Sequence, residues 1–449
     1  LGALAALPAA NRTLLLTDTT GPVELVTAAS EIFNPRTFEY TAPDGSVFIL
    51  DKFAGVQQVR CTNGPPLTVG PNGITHSLGT GVTFARDAQG RISSITDPNG
   101  NVHRYTYDAN GDLLSYANPL SEATSFLYNY RHGLLEITDP RGVRAIRNEY
   151  DNQGRLLSHT DTSGQTITYT RDLVARRESV INRLGQVTTY AYDDKGNVLT
   201  QTDPLGGVTA YTYDAFGNEL TRTDPLGRTT TRTYDSRRNV LKETDPLGHE
   251  TRYTYSALNA VRTITDPLGR VMTNTYDAKG NLMQTIDPLG HRSTNTYDTG
   301  GVVIQGTGNL LSTTNALGHV TSYAYDNLGR LTQETNPLGH ATTYTYDANG
   351  NRTTQTTTRT TVSGLETLVT TYTYDSLNRL TQTTYSDGST TQTVYDAIGK
   401  QSTSIDQLGR QTSYVYDDQG RLTQTTYPDG TSESSTYDAE GRRLTSTDR

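Results

Sequence analysis

The sequence predicts an all-β fold, a long spiralling antiparallel strip of β-hairpins, on three observations. First, one short unit recurs seventeen times between Arg86 and Tyr437: a tyrosine and aspartate, two variable residues, a glycine, then a Thr-rich run. Six of its marker tyrosines, Tyr192, Tyr213, Tyr234, Tyr255, Tyr276 and Tyr297, lie 21 residues apart, and self-similarity at a fixed period is the signature of a repeat architecture. Second, Tyr and Thr, both strand formers, alternate with period 2, and nothing in the unit has the 3.6 period of an amphipathic helix. Third, turn residues return at fixed places.

The elements follow in chain order. Residues 1–80 are out of register with the repeat and read as a β-rich N-terminal cap or plug-like region. A hairpin is expected there from Thr37 to Phe48, turning at Pro43-Asp-Gly45. Residues 81–449 read as the repeat region proper. In Val187–Tyr192, Tyr190 and Tyr192 share one face because strand side chains alternate. Tyr211 and Tyr213 repeat the pairing one unit later.

Asp193-Asp-Lys-Gly196 is a turn: Asp accepts from the backbone two residues on, and Gly supplies a positive φ. Gly fills that place in twelve of seventeen units, and Asn259 and Asn378 in two more. The second strand, Asn197–Thr202, ends at Asp203-Pro-Leu-Gly206, a type I or II turn signal. Intact copies begin at Asp203, Asp224, Asp245, Asp266 and Asp287. Seventeen units supply about 34 strands of ~20 Å, a sheet roughly 160 Å wide if flat. Sheets that wide twist, and a lumen ~30 Å across would take about one and a half turns, so a hollow shell (a partial barrel or cocoon) is expected.

Two marker intervals, Tyr297 to Tyr325 and Tyr346 to Tyr374, are seven residues long beyond the period. The inserts, Gly300 to Gly308 and Thr356 to Thr370, are expected to be longer loops. Arg86 and Arg171 stand where tyrosine is expected, each still followed by Asp. They are candidate wall positions for contact with a charged cargo.

Composition narrows the function. The chain is 33% hydrophobic, has no Trp and carries 29 Tyr, which suits an extended sheet better than a deep core. A net charge of −9 argues against nucleic acid and anionic membrane, which demand clustered Lys and Arg. Cys61 is the sole cysteine, so no intrachain disulfide forms. No apolar run approaches the ~20 residues of a membrane helix. Leu1–Ala10 resembles the end of a signal peptide but lacks an initiator Met and a basic flank, and Arg449 falls within a repeat, so the chain is expected to be a segment of a longer protein.

A repetitive chain has few places for a unique active site. His249, His291, His319 and His340 all follow a Leu-Gly turn, which makes them equivalent turn residues rather than a ligand set. Carboxylates such as Asp203 and Asp214 repeat too, whereas acid–base pairs need unlike environments. Asp193, Asp194 and Asn197 offer hard oxygens to calcium, yet no EF-hand loop or β-roll repeat is present and Asx-turn capping explains them. No catalytic residue, cofactor site or metal site is assigned. The tyrosine rows, Tyr190 with Tyr192 and Tyr211 with Tyr213, are the candidate contact surface for a glycan or cargo. Cross-strand packing accounts for the same tyrosines.

The unit Tyr-x-Tyr-Asp-x-x-Gly-Asn/Arg at Tyr190–Asn197, Tyr323–Arg330 and Tyr414–Arg421 closely resembles the YD-repeat, or RHS-repeat, family over roughly residues 80 to 449. Members include bacterial Rhs polymorphic toxins, shell components of Tc toxins, wall-associated proteins and teneurins. The resemblance implies a hollow β-shell that, in the bacterial toxins, encloses a C-terminal toxic domain. Toxin members close the shell with a self-cleaving core segment, whereas here the Asp-Pro-Leu-Gly copies are repeat turns. No protease residue or toxin activity is therefore carried over. The expected function is a non-enzymatic shell, secreted or at the bacterial cell surface, whose partner is a polypeptide of the same precursor. The alternative is a surface adhesin whose aromatic rows bind a glycan or partner protein.

Overall fold

The computed structural model describes residues 3–7, 14–17, 24–27, 37–41, 46–51, 53–60, 66–298, 308–362 and 364–449. Among these it contains 42 strands and no helix. They fall into two compact units. One comprises Leu1–Gly100, Thr275–Thr285 and Arg292–Gly350, and the other Asn101–Asn274, Ile286–His291 and Asn351–Arg449.

Within each unit, successive strands of the repeat pair antiparallel, as the period-2 pattern predicts. In one hairpin Ala210 faces Thr223, Tyr211 faces Arg222 and Thr212 faces Thr221. The next pairing carries on with Thr221 opposite Thr231. Alternation therefore sorts the sequence onto two faces. One carries Tyr211, Tyr213, Tyr234, Tyr253 and Ile264; the other is a carpet of threonine. On it hydroxyls meet across strands, Thr212 with Thr221 at 2.7 Å and Thr254 with Thr263 at 2.6 Å. Tyrosines of the first face are half-buried, while the adjoining threonines are more exposed. No side chain among the described residues is fully buried, so the strip has no conventional core.

Both kinds of turn are one motif. In Asp214–Asn218 the Gly217 amide donates to the Asp214 carbonyl, and the Asp214 amide to the Asn218 carbonyl. Asp203–Gly207 repeats the same two bonds. This is the three-residue hairpin loop, a type I turn closed by a residue in the left-handed region. Gly217 has φ +82° and Gly206 +85°, and Asn259 and Asn378 take φ near +61° at the same place. The carboxylate then fastens the turn. Asp214 Oδ1 accepts the Phe216 and Asn218 amides, and Oδ2 accepts the Asn218 side chain at 2.7 Å.

At Tyr-Asp turns with this loop the register slips by one residue. Thr212 faces Thr221 but Tyr213 faces Glu219, and Leu220 is left over. The same bulge recurs after Ala191, Thr233, Thr254 and Thr373. The Asp-Pro-Leu-Gly hairpins lack it, as Thr202 opposite Val208 shows. A bulge bends its strand and raises the local twist.

Thr37–Thr41 pairs with Val47–Asp51 as expected, although the turn at 43–45 lies outside the described residues. The Thr356–Thr370 insert corrects the sequence reading. It is not a loop: Arg352–Thr361 and Gly364–Tyr374 form one long hairpin, paired from Thr354–Thr371 to Thr361–Gly364. The extra residues are mostly Thr, Leu and Val, and Thr and Val are strong strand formers. Of the other insert, residues 299–307 lie outside the described residues, as does Cys61.

Candidate functional site: the tyrosine face and the seam

Many of the marker tyrosines are latches. In these the hydroxyl donates to a backbone carbonyl fifteen residues back, at the start of the preceding strand. Tyr234 reaches the Glu219 carbonyl at 2.7 Å, Tyr255 that of Val240 at 2.7 Å, Tyr395 that of Leu380 at 3.0 Å and Tyr437 that of Leu422 at 2.6 Å. Where the turn ends in arginine, that residue braces the next tyrosine. Arg379 pairs with Asp375 at 2.7 Å and lies 4.5 Å over the Tyr395 ring. Arg330 over Tyr346 and Arg421 over Tyr437 repeat the arrangement.

The two arginines that replace marker tyrosines occupy the same latch. Arg86 Nε donates to the Pro71 carbonyl at 2.7 Å, and Arg171 Nη1 to the Leu156 carbonyl at 2.5 Å, again fifteen residues back. Arg86 is exposed and also donates to the Gly90 carbonyl. Arg171 is half-buried and pairs with Glu178 at 2.9 Å. Sequence reasoning picked out these two positions as exceptions but missed that arginine can do the tyrosine's bonding.

Tyr190 and Tyr192 stand on the same face as Tyr211 and Tyr213, on two strands separated by Val198–Thr202, and all four are half-buried. The rings of Tyr190 and Tyr192 are 6.5 Å apart and tilted by 30°. Burial raises the Tyr192 hydroxyl above its ordinary pKa, and the neighbouring Glu178 carboxylate raises it further. Burial likewise raises Tyr213, with Glu219 adding to it. These phenols stay neutral donors across the physiological range.

The fifth turn residue is the functional group that the sequence reading undervalued. Its side chain often donates to the turn aspartate: Asn197, Arg228 and Arg270 fill the role, and His249 and His291 approach Asp245 and Asp287 through Nδ1 at 2.9 and 2.8 Å. These two histidines are turn braces, not merely tolerated residues. The signal was present as Asp-x-x-Gly followed by Asn, Arg or His.

A second constellation could not be read from the sequence. Within the second unit, turns more than 250 residues apart come together edge to edge. Arg141 Nη2 donates to the Asp418 carbonyl at 3.1 Å. Gln419 Nε2 donates to Asp161 Oδ2 at 2.7 Å, and Glu440 accepts the Arg183 amide at 2.6 Å. In the first unit Asn349 Nδ2 likewise donates to Asp97 Oδ2 at 2.6 Å. In each case one side is an Asp-Pro-Leu-Gly-type turn and the other a Tyr-Asp turn.

This seam leaves a cavity of about 300 Å³ lined by His159, Asp161, Thr162, Arg183, Gln419 and Glu440 among others. Asp161 is buried, takes the Ser163 and Gln165 amides on Oδ1, and lies 2.8 Å from Arg183 Nε. His159 meets Asn148 at 2.9 Å. Asp161 is committed to Arg183 and Gln419, and Glu440 to the Arg183 amide, as befits a joint, while the Thr162 hydroxyl is buried without a hydrogen-bond partner. Among the described residues no three His, Cys, Asp or Glu side chains stand together as metal ligands.

The family described as RHS Repeat matches residues 176–208, 192–229, 213–250, 239–271, 306–341, 328–363 and 395–432. The family described as Teneurin YD-shell matches residues 66–172. Comparison with curated protein sequences gives no match. The crystal structure of TcdB2-TccC3 without its hypervariable C-terminal region is similar to 97% of this chain and 30% of its own, at 14% identity and a TM-score of 0.62. That of TcdB2-TccC3-TEV is similar over 96% of this chain and 26% of its own, at 14% identity and 0.58. This chain thus spans less than a third of the solved chains it resembles, and at that identity the likeness is one of fold.

Proposed function

We propose, from the premise that the chain belongs to the RHS/YD-repeat family, that it is a stretch of shell wall enclosing a C-terminal toxin or effector polypeptide of the same precursor. The observation that carries the reading is the pairing of a coreless single strip with a seam that joins the strip to itself within a unit. A sheet in which no described side chain is fully buried is thin, and a thin wall can separate two spaces. The wall works by backbone pairing and turn bracing and needs no catalyst, cofactor or metal. Secretion or display at the bacterial cell surface suits a container that must leave its maker. No helix among the described residues is long and apolar enough to cross a membrane, which says nothing of strands. Residues 1–80 serve in this reading as a cap on the strip. Tyr190, Tyr192, Tyr211 and Tyr213 offer the enclosed chain a half-buried aromatic surface; Arg86, bonded to neutral carbonyls and exposed, offers it a positive charge, whereas the charge of Arg171 is offset by Glu178.

The test is native purification of the whole precursor, followed by protease treatment and mass spectrometry before and after denaturation. A C-terminal polypeptide that is separately cleaved, retained and protease-resistant until denaturation supports the container. A single uncleaved chain, digested throughout without denaturation, overturns it. If that chain also binds a glycan array through Tyr190 and Tyr211, the adhesin reading takes its place.

A further inference from the structure

The join between threads in the first unit is made of two Asn-Gly pairs. Asn99 and Asn349 each stand third in a five-residue turn, and the glycine after each takes the left-handed conformation, Gly100 at φ +87° and Gly350 at +90°. Their bonds are reciprocal: Asn349 Nδ2 donates to Asp97 Oδ2 at 2.6 Å, and Asn99 Nδ2 to Asp347 Oδ2 at 3.0 Å. The Asn99 backbone amide also donates to Asn349 Oδ1 at 3.1 Å.

Asn-Gly is the pair most open to hydrolytic loss of the side-chain amide, because glycine has no side chain to shield its nitrogen. The glycine nitrogen attacks Cγ of the asparagine. The new C–N bond closes a five-membered succinimide, the Cγ–Nδ2 bond breaks, and ammonia leaves with the glycine's proton. Water then opens the ring to aspartate or isoaspartate. The reaction needs Cγ to swing onto its own glycine, whereas the clasp aims both side-chain amides across to the other thread. A third pair supplies the comparison. Residues 105–111 and 344–350 share one seven-residue sequence, Tyr-Thr-Tyr-Asp-Ala-Asn-Gly, and in both turns the glycine amide donates to the aspartate carbonyl at 3.2 Å. Asn110 is exposed, and its backbone amide caps its own turn on Asp108. The bonds to a facing thread are what set Asn349 apart from Asn110.

We propose that Asn99 and Asn349 are a paired deamidation site that makes the opening of this join irreversible. While the join is closed, the clasp shields both asparagines; whenever it opens, both are free to react. The products cannot close it again. A carboxylate only accepts, so each lost Nδ2 removes a donor and sets a new negative charge against Asp97 or Asp347. The join thus records the time that the wall has spent open, and this does not depend on what the wall encloses.

The test compares the three asparagines within one intact wild-type protein. It is held at neutral pH, either folded or unfolded in guanidinium chloride, and sampled over weeks. Peptide mapping reads aspartate and isoaspartate at each position. Folded, Asn99 and Asn349 should convert at least about tenfold more slowly than Asn110, the protection expected of hydrogen bonds to carboxylates. Unfolded, Asn349 and Asn110 should convert at one rate, since their local sequences match. Equal rates in the folded protein overturn the proposal, as do rates that stay unequal after unfolding. Irreversibility is read separately, by hydrogen exchange. Asn99→Asp with Asn349→Asp should quicken exchange in Ile92–Thr96 and Ala341–Tyr346, and salt should partly reverse the effect by screening like charges. Asn99→Ala with Asn349→Ala removes the same donors without adding charge, so its exchange should quicken less and ignore salt. Asn110→Asp should leave both strands unchanged. An aspartate variant that exchanges like wild type, or that ignores salt as the alanine one does, overturns the one-way closure.

Discussion

At the scale of the residue, the repeat is held by hydrogen bonds rather than by burial. The hydroxyl of Tyr234 donates to the Glu219 carbonyl, and Tyr234→Phe leaves that carbonyl without its donor while keeping the ring. The expected loss is about 1 kcal/mol, read as a lower midpoint in urea unfolding. Replacing Arg171 by Tyr should be far milder, since either side chain can reach the Leu156 carbonyl. The turn aspartates set an acid limit. Asn197, Asn218 and Asn239 donate side-chain amides that hold Asp193, Asp214 and Asp235 below their ordinary value of 3.8. A carboxyl with a depressed folded pKa gives its stability in full above the unfolded value and loses it as pH falls through the folded one. The strand signal in circular dichroism should therefore hold at neutral pH and decline with acidification below about 3.8. A melting temperature unchanged down to pH 2 would show that these carboxylates contribute nothing.

At the scale of the element, the hairpin was legible because each turn must visit the left-handed region at a fixed place. Glycine marks it, and the exceptions Ser121, His132 and Arg238 still adopt φ between 63° and 69° there. A side chain with a Cβ pays roughly 1–2 kcal/mol for that conformation. Ser121 is exposed, so Ser121→Gly should stabilise the protein by about 1 kcal/mol, visible as a higher urea midpoint. What the element hid was the bulge beside each Tyr-Asp turn. Nothing in the Thr-rich runs distinguishes a paired residue from the surplus one, because both Leu220 and its neighbours suit a strand. The seven-residue insert misled for a similar reason: its Thr, Leu and Val residues were read by length, as a loop, when their propensity already favoured strands. Tyrosine was read correctly as a strand residue, but its bond across fifteen positions depends on how two hairpins lie side by side, which no local pattern states.

At the scale of the whole molecule, what distant residues do follows from position along the strip rather than from kind. Gln419 and Glu440 look like any other turn residues in the sequence, yet they meet Asp161 and the Arg183 amide more than 250 residues away. Removing both side chains by Gln419→Ala and Glu440→Ala should cost about 2 kcal/mol, confined to the last two repeats. Hydrogen exchange should quicken in residues 411–449 while Thr229–Thr265 remains unchanged. Uniform quickening across the chain would instead mean that the repeats unfold as one block. Contacts between sequence neighbours away from the seam make local opening the expected behaviour.

The long hairpin of Arg352–Thr361 and Gly364–Tyr374 bears on how such a chain can change over generations. Its extra residues extend strands sideways and add no strand to the count. The thread pitch of the winding, fixed by which turn meets which, is left as it was. Gaining or losing one whole unit upstream is different: every later turn would advance by one place, and Gln419 would face a stranger instead of Asp161. Growth across the ribbon is thus open to drift, whereas growth along it has to be matched by new partners on the facing thread.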